Sequence, residues 1–130
     1  MKKPILLLTL IFSTMFPSVS WADWKYVSEN VSGDEYYVDF DRIRQNGGYV
    51  YYWGLNNYLE PTSTGVLSGK VYVKADCKLF REQNLSYSFH KEPMGGGVGE
   101  VNNPPNAEWG YPTPNSVGET VLQSVCDHVK

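Results

Sequence analysis

The sequence has almost no cysteine, little histidine and no concentrated positive charge. Its 130 residues include two cysteines and two histidines. Metal centres draw on several His, Cys or carboxylate ligands, and His90 and His128 stand far apart, so both are read as solvated side chains and no metal or other cofactor is expected. Cys77 and Cys126 form no C-x-x-C pair, which removes the neighbouring low-pKa thiols of redox chemistry. Lys and Arg number 11 against 14 Asp and Glu, a net charge of −3, and no basic run is present. That excludes the electrostatic footprint of a nucleic-acid binder and a polybasic patch for anionic lipid. No apolar run reaches the roughly 20 residues of a membrane span, so no stable membrane insertion is expected. Gly95-Gly96-Gly97 lacks the strand, helix and downstream acid of a dinucleotide site and reads as a flexible turn. There are no internal repeats.

What is present begins with Met1-Lys2-Lys3, an apolar run from Ile5 to Met15, and Ser20-Trp21-Ala22. A positive start, a short apolar stretch and a small-x-small site make a cleavable export signal over residues 1–22; an uncleaved anchor is the alternative. Residues 23–130 then form one domain, more acidic than the whole chain because Lys2 and Lys3 leave. No cysteine follows the apolar run to accept a lipid. The expectation is an exported soluble protein, periplasmic, secreted or at the cell surface, and not a lipoprotein. In an oxidising compartment the even pair Cys77 and Cys126 reads as a disulfide. The loop it closes is long enough for chain entropy to give about 4 kcal/mol.

Tyrosine is the leading aromatic, with 10 copies, and aromatic and β-branched residues suit pleated strands. Strands are predicted over 24–28, 35–39, 49–59, 67–79 and 81–91. Asp39 is expected to cap a helical turn over 40–43. In 49–59 the odd positions Tyr49, Tyr51, Trp53 and Leu55 are the more apolar set. In 67–79 the set Val71, Val73, Ala75, Cys77 and Leu79 alternates with Lys70, Lys74, Asp76 and Lys78, the pattern of a strand with one buried and one wet face. Residues 92–115, rich in Gly, Pro and Asn, read mostly as loop. Ser116 and Glu119 form a capping box, and Val117, Val121, Leu122, Val125 and Val129 keep a helical period that carries Cys126 on its stripe. The fold class is therefore α+β: a single antiparallel β-sheet of about five to six strands, with a C-terminal helix packed on one face and tethered by the disulfide.

Catalytic patterns are weak. Ser86 or Ser88 with His90 has no nucleophile elbow or oxyanion-hole signature around it. Asp39 and Asp41 resemble a glycosidase pair only in type, and capping accounts for them. A non-enzymatic protein is expected. Tyr and Trp are enriched at binding hot spots, so Tyr52 and Tyr58, on the parity opposite Trp53, are candidate exposed contact residues. His90, Met94, Trp109 and Tyr111, in or beside the long loop, complete the candidate set.

Trp24-x-Tyr26, Tyr36-Tyr37-Val38-Asp39-x-x-x-Ile43, Tyr51-x-Trp53, Tyr58, Ser68-x-Lys70, Asp76-Cys77, Pro93-Met94-Gly95-Gly96-Gly97, Pro112-x-Pro114-x-Ser116 and the helix ending at Cys126 occur in this order along the domain. Together they resemble the surface-adhesin E family of small exported proteins of Gram-negative bacteria. The resemblance implies an antiparallel sheet with a disulfide-tethered C-terminal helix. It also implies adhesion to host matrix and serum proteins such as vitronectin and laminin. The chain is expected to act as a monomer or homodimer. A soluble periplasmic envelope or inhibitor protein with another protein partner is the alternative.

Overall fold

The computed structural model describes residues 21–130; the export signal expected over 1–22 lies almost wholly outside the described residues. Seven strands form one antiparallel sheet: β1 Lys25–Glu29, β2 Glu35–Val38, β3 Arg44–Asn46, β4 Tyr49–Asn57, β5 Ser68–Asp76, β6 Arg81–His90 and β7 Glu100–Asn102. The order is β1-β2-β4-β5-β6-β7, with β3 pairing β4 beyond the end of β2. Every pairing is antiparallel, so the chain meanders with short connections. Of these strands, β3 and β7 were not anticipated. Each has three residues, all exposed, and so carries no periodicity for sequence to display.

The helix α1, Val117–His128, closes one face. Ser116 accepts a hydrogen bond from the Glu119 amide at 3.2 Å. Glu119 reaches back one residue further than a standard capping box, accepting from the Asn115 amide at 3.3 Å. Leu122, Val125 and Cys126 are buried against Val38, Val50, Tyr52, Val73 and Ala75. The Cys77–Cys126 disulfide holds the helix to the sheet, with Cα atoms 5.7 Å apart. α1 crosses over β1 and β2, so the last element of the chain completes the core of the first.

Pairing fixes which residues share this face. Val50, Tyr52 and Gly54 of β4 stand directly opposite Ala75, Val73 and Val71 of β5, and directly opposed antiparallel residues point the same way. The apolar alternation expected of β5 is therefore observed, except that the strand ends at Asp76 and Leu79 is exposed in the turn that follows. The parity of β4 is the reverse of the apolar reading. Its even positions lie under the helix, and Tyr49, Tyr51, Trp53 and Leu55 form the other face.

Asp39 does not cap. A 3-10 turn spans Phe40–Arg42, but the Asp39 side chain makes no cap hydrogen bond; it is buried and faces the Arg42 guanidinium at 3.3 Å. Burial beside a cation, rather than amide capping, is what the position uses.

Candidate functional site

The helix-free face of the sheet carries a bank of aromatic rings. Trp53 and Tyr72 are cross-strand partners with ring centroids 4.9 Å apart. Tyr51 lies 6.1 Å from Tyr72 on the other side. Towards β1, Tyr26 meets Tyr37 edge-on at 5.9 Å. At the opposite end Trp109 tilts over Tyr49 at 5.6 Å. Two cations are threaded through that end: the Lys74 ammonium sits 4.2 Å above the Tyr49 ring, and the Arg81 guanidinium 4.3 Å above Trp109. Such contacts hold long basic side chains against rings, and the Arg81 head is in addition ion-paired with Asp76 at 3.1 Å. Tyr26 is 53% exposed and the other rings are half-buried. Desolvation first, then the carboxylates of Glu29 and Glu35, raises the Tyr26 phenol pKa, and desolvation with Glu35 raises that of Tyr37. Both are neutral hydrogen-bonding groups at physiological pH.

One end of this face is covered. The 3-10 turn Pro93–Gly95 folds over β4 and β5, where Ser68 Oγ donates to Glu92 O at 2.6 Å and accepts from the Gly95 amide at 2.8 Å. Gly95 is buried, and a Cβ there would collide with the Lys70 side chain. The turn that reads as flexible is a lid pinned to the sheet, and Leu55 is fully buried beside it.

His90 lies under the same segment and is only 3% exposed, which corrects its reading as a solvated contact residue. Its strand parity is polar, but the glycine-rich segment covers it. One ring nitrogen lies 3.1 Å from the Gly96 carbonyl and the other 2.7 Å from Ser88 Oγ. The carbonyl can only accept, so Nδ1 carries hydrogen there. The spacing is that of a nucleophile and base. However, Gly99 packs so closely on Ser88 Oγ and the His90 ring that even a Cβ would collide with both. No substrate atom has that space, and the pair fastens the loop to β6.

The other candidates are scattered. Tyr52 is 2% exposed and belongs to the core under α1, which corrects its reading as a surface aromatic; its hydroxyl donates to Glu82 at 2.9 Å. Tyr58 is half-buried and lines an edge cleft with Val66, Phe89 and Val101. Met94, 38% exposed, sits on the lid with left-handed φ of 57°, its amide donating to Asn57 at 2.8 Å. Trp109 alone joins the aromatic bank. Tyr111, 67% exposed, stands at the mouth of a groove beside α1. The bank's main members, Tyr51, Trp53, Tyr72, Lys74 and Arg81, are not among the contact residues expected from sequence. The signal was present in β5, where Tyr72 and Lys74 lie on the wet parity, but only the β4–β5 register brings Trp53 beside them.

Among the described residues no group of three or more His, Cys, Asp or Glu side chains is placed to hold a metal ion, and no helix is long and apolar enough to cross a membrane. An aromatic face flanked by cations and bordered by a pinned loop can bind a ligand surface. The described residues present no accessible nucleophile beside a base.

Residues 24–127 match the family model described as Surface-adhesin protein E. The chain belongs to the surface-adhesin E family. Its fold is similar to that of Haemophilus influenzae protein E in crystal form II, at 19% identity and a TM-score of 0.60, covering 88% of this chain and 95% of that one. A second structure of Haemophilus influenzae protein E gives 19% identity and 0.58 over 85% and 89% of the two chains. Protein E from non-typeable Haemophilus influenzae gives 18% and 0.59 over 85% and 80%. At such identity these likenesses speak for the fold. No curated protein is matched by sequence. Membership of the adhesin E family supports a binding protein rather than an enzyme.

Proposed function

We propose that this adhesin E-family chain is an exported, non-enzymatic protein that binds a protein partner through the helix-free face of its sheet. The partner class the family suggests is extracellular-matrix and serum proteins, vitronectin and laminin first. The observation that carries the reading is the aromatic bank of Tyr51, Trp53 and Tyr72 with Lys74 and Arg81 at its end. Large rings of this kind supply most of the energy at protein interfaces, and arginine is the charged residue most often found with them. The Lys74 ammonium can steer a partner whose contacting surface carries carboxylates, whereas Arg81 is already ion-paired with Asp76 at 3.1 Å.

The test is binding of the purified protein to immobilised vitronectin and laminin, with the double variant Trp53→Ala/Tyr72→Ala beside it. The expected result is saturable binding to at least one of them, weakened about tenfold or more in the variant, with an unchanged far-UV spectrum. Equal binding by the variant removes this face from the role, and no binding to either protein removes the matrix reading. Protease treatment of intact cells tests display separately: cleavage of the domain is expected, and protection until the outer membrane is opened would restrict its partners to the periplasm.

A further inference from the structure

A groove runs along the helix side of the sheet, opposite the aromatic bank. Its inner part, about 180 Å³, lies between the sheet and the first turns of α1, among Tyr36, Tyr52, Val73, Tyr87, Val117 and Val121. Its outer part, about 560 Å³, opens between β6 and the segment 104–113. The outer wall is fastened. Glu82 and Gly110 exchange backbone hydrogen bonds at 2.9 and 2.8 Å, and Gln83 Nε2 donates to Ala107 O at 2.9 Å.

Glu82 stands where the two parts meet and lines both. One carboxylate oxygen accepts from the buried Tyr52 hydroxyl, which leaves the other for a ligand. No Lys, Arg or His lines either part of the groove, and among the described residues Glu82 has no ion-pair partner. A carboxylate in a partly desolvated, aromatic setting without a countercharge is costly, and a cation brought to it recovers that cost. Tyr36 and Tyr87 line the same space with Val71, Val73, Val117 and Val121, apolar surface that suits an alkyl stem. Asn84, Asn106 and Glu108 in the open part offer the hydrogen-bonding groups that an extended backbone needs.

We propose that this groove binds a lysine or arginine side chain of an extended partner peptide, with the stem among the valines and tyrosines and the cationic head on Glu82. The groove and the aromatic bank lie on opposite faces, so either can fail alone.

The test is amide NMR titration of the purified protein with a short acetylated peptide carrying one central arginine, and with the same peptide carrying citrulline, which keeps the shape and loses the charge. The arginine peptide should shift the signals of Glu82, Asn84, Gly118 and Val121, and the citrulline peptide should bind about tenfold more weakly or less. Glu82→Gln keeps an acceptor for Tyr52 and should weaken the arginine peptide to the same extent. Equal binding of the two peptides, no shifts at millimolar peptide, or shifts confined to other residues would overturn the proposal. Agmatine, the free alkylguanidinium, should bind more weakly than the peptide; binding as tight would overturn the peptide part. If Glu82→Gln fails to fold, the peptide comparison on the unaltered protein still decides.

Discussion

The two faces of one sheet use aromatic residues in different ways. Under α1, Tyr52 is sealed from water and its hydroxyl needs a partner inside the protein, which Glu82 supplies. On the other face Tyr51, Trp53 and Tyr72 pack on one another and stay half-buried. The same residue type on neighbouring positions of β4 is structural at one and available at the next. Tyrosine content therefore says little about binding until the covered face is known.

The contrast between the two faces makes predictions of different size. The largest effect is expected from untethering the covered face. The bridged cysteines are 49 residues apart, and replacing both by serine should cost about 2–4 kcal/mol, a fall in melting temperature of roughly 10–25 °C. An unchanged melt would mean that α1 holds without the bridge. Next, Leu122→Ala should cost about 3 kcal/mol in urea unfolding, and Trp53→Ala no more than about half of that, because Leu122 is sealed and Trp53 is not. Equal costs would make the aromatic face a second core.

Tyr52→Phe should cost about 1 kcal/mol. It should also raise the Glu82 pKa further, since burial holds that carboxyl above its ordinary 4.5 and the tyrosine hydrogen bond acts against the rise. Carbon NMR of the Glu82 carboxyl reads this directly. The smallest effects concern pH and the surface. With its folded pKa raised, Glu82 lends stability that is fully present below its unfolded pKa and is lost as pH rises through the folded value. Asp76, at the other side of the same hairpin, has the opposite sign. The Leu79 amide first, then Arg81, lowers its pKa from 3.8, so its contribution is present above the unfolded pKa and is lost as pH falls through the folded one. Glu82→Gln and Asp76→Asn should flatten different limbs of the stability–pH curve. Lys25→Ala, which removes an exposed pair with Asp23, should change stability by less than about 0.5 kcal/mol.

Much of the architecture was legible in the sequence. The alternation of β5 identified the helix-covered set, and Ser116, Glu119 and the valine spacing located α1 with Cys126 facing Cys77. The β4 parity was not legible, because tyrosine and tryptophan score as apolar while tolerating water at one end, so hydropathy favoured the wrong face. The burial of His90 was not legible either. It depends on Gly95 and Gly99, whose missing side chains let the lid touch the sheet, and sequence shows such glycines only as loose turns. The site suffered most, because Trp53, Tyr72, Lys74 and Trp109 come from distant segments joined by register and by one bridge between Glu82 and Gly110.

The packing of α1 across β1 and β2 also sets an order in time. The buried side of the first strands finds its cover only in the final helix, so the core closes last where the chain begins first. Contacts between such distant segments slow folding. A chain that is still emerging lacks the piece that would lock it, and stays pliable until its C-terminal turns arrive.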